Sequence, residues 1–171
     1  CKYYSNSAVN EITGETQHIS MSPEQEIALG LQSAPEMAQE MGGLSNNRQA
    51  AEIVKRVGQK VVQNSVAAKT PYQYDFHLLA DPNTINAFAL PGGQVFITEG
   101  LLVRLTTDGR SLDEDMLAGV LGHEIGHVVA RHSAEKMSQM ELAQGITGAV
   151  TMATYDPNNP NSAYIAQSVA N

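Results

Sequence analysis

His123 and His127 stand four residues apart, with Glu124 directly after the first, in the run His123-Glu124-Ile125-Gly126-His127. On a helix the two imidazoles share one face, about 6 Å apart along the axis, and can hold one tetrahedral zinc. Glu124 is rotated by about 100°, close enough to reach a water on that metal without being forced to ligate it. Zinc lowers the pKa of such a water towards about 7, and a neighbouring carboxylate can take its proton and pass it to a leaving amine. These residue types at this spacing point to zinc-dependent hydrolysis, with the developing oxyanion held by the metal. A chance occurrence of the pattern on a solvated helix face is the competing explanation. Val120, Leu121, Ile125, Val128 and Val129 argue against it, because they predict a mostly buried helix in which unpaired imidazoles would be costly to desolvate. Gly119, Gly122 and Gly126 weaken that helix by roughly 1 kcal/mol each relative to Ala. Their shared face predicts tight packing against a neighbouring element.

The elements that must position this motif are legible along the chain. Residues 1–21 are polar, with a turn signal at Thr13-Gly14, and read as an extended arm. Ser22-Pro23-Glu24-Gln25 is a helix start: Ser22 is the N-cap, Pro23 takes the first position and Gln25 closes a capping box. That helix is predicted to run to about Gly42-Gly43. A second begins near Asn47, with Ile53, Val54, Val57, Val61 and Val62 on one face. Residues 74–79, 85–90 and 94–98 are β-prone runs, the last two joined by a turn at Pro91-Gly92-Gly93, and a small antiparallel sheet is expected. A short helical piece over 100–105 and a loop at Asp108-Gly109 follow. Ser111-Leu112-Asp113-Glu114 repeats the capping-box pattern and is expected to start the longest helix, running through the motif to about Met140. Beyond it lie a breaker cluster at 156–160 and a helical fragment from Ser162. The fold class is α+β, mainly helical, in one domain over 22–171.

At 171 residues the chain can bury roughly two-thirds of the surface its unfolded form exposes. Ten basic against eighteen acidic residues give a formal charge of -8 with no basic stripe, which argues against a nucleic-acid partner. No stretch is long and apolar enough to cross a membrane. The single cysteine is Cys1, so neither an intrachain disulfide nor a thiolate zinc site is available. A chain beginning at Cys1 and continuing through a polar stretch looks like a processed bacterial lipoprotein, acylated at Cys1 and tethered to a membrane. Lys2 favours the outer membrane.

The run L-A-G-V-L-G-H-E-I-G-H-V-V-A-R-H (117–132), with N-A-F-A-L-P-G-G (86–93) upstream, resembles the gluzincin peptidase family of HtpX and the CAAX prenyl protease. The T-G-E of the arm and S-P-E-Q-E-I-A-L-G (22–30) are similar to its soluble periplasmic lipoprotein members, of the LoiP and BepA type. The resemblance covers essentially the whole chain. It implies zinc on His123 and His127, Glu124 as catalytic base, and a substrate strand added along the edge formed by Asn86, Ala87, Phe88, Ala89 and Leu90, in keeping with β-augmentation. It also implies polypeptide substrates drawn from misfolded or misassembled envelope proteins, at the periplasmic face of the outer membrane.

One departure stands out. The family takes a third zinc ligand from a Glu on a later helix, and a catalytic zinc usually has three protein ligands. On a continuous helix Glu135 would lie about 12 Å and Glu141 about 21 Å beyond His127, while Asp156 falls in a breaker-rich loop. The third ligand is therefore expected to be a Glu beyond Asn171, with the domain incomplete at that end. A catalytically inactive binding or assembly factor built on the same scaffold is the competing expectation. His132 is expected to be a partly solvated histidine or to position a neighbour; His18 and His77 are expected to be structural. Arg131 is expected in a surface salt bridge worth little, and Met116, Met137 and Met140 in the core.

Overall fold

The computed structural model describes residues 7–107 and 111–140. Cys1, Asp108-Gly109, Glu141, Asp156 and the segment from Ser162 all lie outside them. The polar arm is not extended: Ser7–Val9 (β1) pairs antiparallel with Thr16–His18 (β2), and Gly14 turns the chain at φ 75°. This hairpin docks on the body, because amides of Asn10 and Gln17 donate to the Val129 and Ala130 carbonyls.

Helix α1, Pro23–Glu40, starts as its sequence dictates. The Ser22 hydroxyl accepts from Gln25 N, the Gln25 side chain accepts from Ser22 N, and Pro23 occupies the first turn. Its Gly30 lies so near the 91–93 turn that a Cβ there would sit 2.0 Å from the Pro91 carbonyl oxygen. Helix α2, Arg48–Gln63, is capped by the Asn47 side chain at Ala50 N, and its Val54 and Val57 are buried.

The three predicted β runs form one sheet, Asp75–Leu79 (β3), Ala87–Ala89 (β4) and Gln94–Thr98 (β5), in the order β3-β5-β4. The sheet is mixed, a correction to the all-antiparallel expectation. β4 pairs antiparallel with β5, but β5 runs parallel to β3. The physical reason lies in β5, whose five residues are all buried and which therefore takes the centre. One face of the sheet (Phe76, Leu78, Val95, Ile97) meets Val54, Val57, Leu117, Leu121 and Ile125 of the helices in the main core. The other face (Leu79, Phe96) packs with Ala38 of α1.

A short helix α3, Glu99–Arg104, follows β5 directly. Thr106–Thr107 (β6) then pairs with Ser111–Leu112 (β7), so Ser111 is a strand residue rather than the expected cap. Asp113 takes the cap instead, accepting from Asp115 N and Met116 N at the start of α4, Glu114–Val129. Helix α4 carries the motif. It does not continue to Met140: Ala130 ends it, Arg131 adopts φ 57°, and a separate helix α5 occupies 132–140. The α+β class, mainly helical, holds; the single long helix does not.

Candidate active site

Helix α4 is two-sided. Leu117, Leu121, Ile125, Val128 and Val129 are buried in the core, while His123 is exposed and Glu124 and His127 are half-buried on the other side. The expectation of a mostly buried motif is thus corrected: the apolar residues anchor the helix and the histidines open outward. The expected tight packing of the glycines is corrected as well. A Cβ at Gly119 or Gly126 would meet nothing within 4 Å among the described residues, and at Gly122 only Val61 Cγ1, at 3.7 Å.

The spacing does bring the two imidazoles together. His123 Nε2 and His127 Nε2 approach to 3.1 Å, with ring centroids 4.7 Å apart and planes at 85°. Two nitrogens each about 2.0–2.1 Å from one tetrahedral zinc stand roughly 3.3 Å apart, so this pair fits zinc without rearrangement. Desolvation first, and then the neighbouring His123 and His132, lower the His127 pKa below the usual histidine value. That favours the neutral imidazole ligation requires. Burial pushes the Glu124 carboxyl up, and His123 offsets this in part.

No group of three His, Cys, Asp or Glu side chains suited to a metal occurs among the described residues. The break at Arg131 removes the continuous-helix geometry that first set Glu135 aside, yet Glu135 is engaged elsewhere, accepting from Gln17 Nε2 at 3.4 Å.

β4 borders the site as an edge strand. Asn86 O accepts from Thr98 N and Leu90 N donates to Gln94 O, so by alternation Phe88 also turns its backbone polar groups towards β5. Ala87 and Ala89 therefore direct theirs away from β5, where the Ala89 carbonyl accepts from Ser133 Oγ at 3.5 Å. Phe88 stacks on Phe96 at 4.9 Å on the opposite face of the sheet, which fixes the strand's register.

Two features escape a local reading of the sequence. His132 Nδ1 lies 2.7 Å from His127 Nδ1. Arg131, expected at the surface, instead pairs with the fully buried Glu26, donating from Nε at 2.8 Å and from Nη2, which also donates to the Met21 carbonyl at 2.8 Å. Tyr72 Oη donates to the same carboxylate. No pattern near Glu26 announces a partner 105 positions away. Met116, Met137 and Met140, expected in the core, are exposed. His77 is structural, its Nε2 2.8 Å from Gln94 Oε1 and its ring stacked on Phe96.

Burial, followed by the Glu26 carboxylate, raises the Tyr72 phenol to about 12. A phenol raised on folding contributes stability that is complete below its unfolded pKa of about 10 and is lost as pH climbs through the folded value. Between about pH 10 and 12 the urea midpoint of the wild type should therefore fall more steeply than that of Tyr72→Phe. Parallel curves would show that the phenol stays uncoupled from folding.

Comparison with known proteins agrees with the resemblance read from the motif. Residues 48–168 match the model of peptidase family M48. The mitochondrial metalloendopeptidase OMA1 of Schizosaccharomyces pombe is 44% identical over 85 residues, covering 50% of this chain and 23% of that protein. Metalloendopeptidase OMA1, mitochondrial, of Bos taurus is 30% identical over 147 residues, 82% of this chain and 26% of its own length. The beta-barrel assembly-enhancing protease of Yersinia pestis is 33% identical over 111 residues, 62% and 23% respectively. The chain spans about a quarter of the length of these relatives.

Proposed function

The chain belongs to peptidase family M48, and from that premise we propose that it is the catalytic part of a zinc-dependent endopeptidase. The observation that carries this reading is the convergence of His123 Nε2 and His127 Nε2 at 3.1 Å, with Glu124 next to them on the helix and an edge strand at hand that has no strand partner on its outer side among the described residues. His123 and His127 hold the zinc, and a carboxylate from outside the described residues completes the set. Zinc held there would supply Lewis acidity to the scissile carbonyl and to the attacking water. The outward-facing backbone groups of Ala87 and Ala89, the Ala89 carbonyl on release of its long contact with Ser133 Oγ, bind the substrate as an added strand, which fixes the peptide plane with little regard for its side chains. Glu124 takes the proton from the water as its oxygen attacks the carbonyl carbon, then delivers that proton to the amine nitrogen as the C–N bond breaks.

The substrates we propose are misfolded or misassembled envelope polypeptides, a reading supported by the relatives named beta-barrel assembly-enhancing proteases. No helix among the described residues is long and apolar enough to cross a membrane. Zinc content and casein digestion measured together on the full-length gene product test the proposal. About one zinc per chain together with cleavage is expected; one zinc without cleavage would favour an inactive binding factor instead.

A further inference from the structure

We propose that His132 is a positioning residue: it accepts a hydrogen bond from His127 and thereby fixes the ring that presents Nε2 to the metal. The proposal rests on zinc binding at His123 and His127. His127 Nε2 faces His123 Nε2 at 3.1 Å and must be unprotonated to ligate. A neutral His127 then carries its proton on Nδ1, and the atom 2.7 Å from Nδ1 is His132 Nδ1. One of these two nitrogens has to donate and the other accept. With the proton on His127, His132 accepts and keeps its own proton on Nε2. Metal-bound histidines commonly give their second N–H to an outer partner, which orients the ring and raises its basicity. In this chain a second imidazole takes that place.

The contact depends on the break in the chain. On an uninterrupted helix a residue five positions on stands about 140° around and 7.5 Å along, too far from His127 for their rings to meet. Arg131 at φ 57° ends that geometry, and α5 starts directly after it. A non-glycine residue in the left-handed region is unfavourable by about 1–2 kcal/mol, and the buried Glu26 holds it there through the Arg131 guanidinium. The rings of His127 and His132 consequently lie 5.0 Å apart with their planes at 61°.

His132 is exposed and its ring contact is with His127, so its replacement is expected to leave the fold intact. In the full-length protein, His132→Ala should weaken zinc binding about 10–100-fold, measured by competition with a chromophoric chelator. His132→Asn, whose side-chain oxygen can accept from Nδ1, should restore most of the affinity. The visible absorption of the cobalt-substituted protein should change in His132→Ala and return towards wild type in His132→Asn. An affinity for His132→Ala within twofold of wild type would overturn the proposal, as would equal losses in the Ala and Asn variants. A wild-type protein that binds no zinc, or a His127→Ala variant that binds it normally, would instead remove the metal site on which the proposal stands.

Discussion

Glu124→Gln is expected to lower kcat for peptide hydrolysis by about 10²–10⁴-fold while leaving one zinc bound per chain. Glutamine keeps the size and shape of the side chain but cannot take up a proton. His123 and His127 owe their 3.1 Å approach to their spacing on one helix, and among the described residues no hydrogen bond ties the Glu124 carboxylate to either ring. The effect therefore falls on the proton transfer, about 3–5 kcal/mol of barrier, and not on metal retention. The half-buried position that raises the Glu124 pKa also makes the carboxylate a better proton acceptor than a fully solvated one. Paired measurements of zinc by atomic emission and of cleavage with a fluorogenic peptide separate the two effects. If the variant turns over at a rate within a few fold of wild type, the base is another group.

What could be read from the sequence was what short-range chemistry decides. Ser22 and Asn47 cap helices because their side chains reach backbone N–H groups three residues on, a relation visible in the sequence. The pairing of His123 with His127 follows from helical period alone. What escaped was set by partners distant in the chain. Val128, Val129, Ala130 and Ala134 are all buried and keep a helical apolar spacing across the break, so every local signal favours a continuous helix. The interruption at Arg131 is imposed by Glu26, Met21 and the hairpin amides on the 129 and 130 carbonyls. Ser111 and Asp113 are both good N-caps in sequence; the β6–β7 pairing, fixed by Leu105 O accepting from Asp113 N at 2.8 Å, decides for Asp113. The order β3-β5-β4 is likewise chosen by burial of β5, which periodicity over five residues does not reveal.

Arg131→Met should then destabilise the folded chain by about 3–5 kcal/mol, the cost of leaving one member of a buried ion pair without its partner. Glu26 is 1% exposed, and among the described residues its neighbours besides Arg131 offer only the Tyr72 hydroxyl, 3.4 Å from Oε2. With the guanidinium gone the carboxylate either stays charged in an apolar pocket or takes up a proton, for which burial already raises its pKa. Glu26→Gln leaves a neutral side chain that can still accept from Arg131, and its cost should be smaller. The double replacement Glu26→Leu with Arg131→Met removes both charges and should recover much of the loss, because paired removal avoids the stranded ion. Urea denaturation of the four proteins reads these differences directly, and a loss below about 1 kcal/mol for Arg131→Met would place the pair with ordinary surface bridges. Recovery of stability should not bring recovery of zinc affinity. The double variant restores a compatible interior, but it lacks the guanidinium that holds residue 131 at φ 57°, and with it the turn that sets His132 against His127.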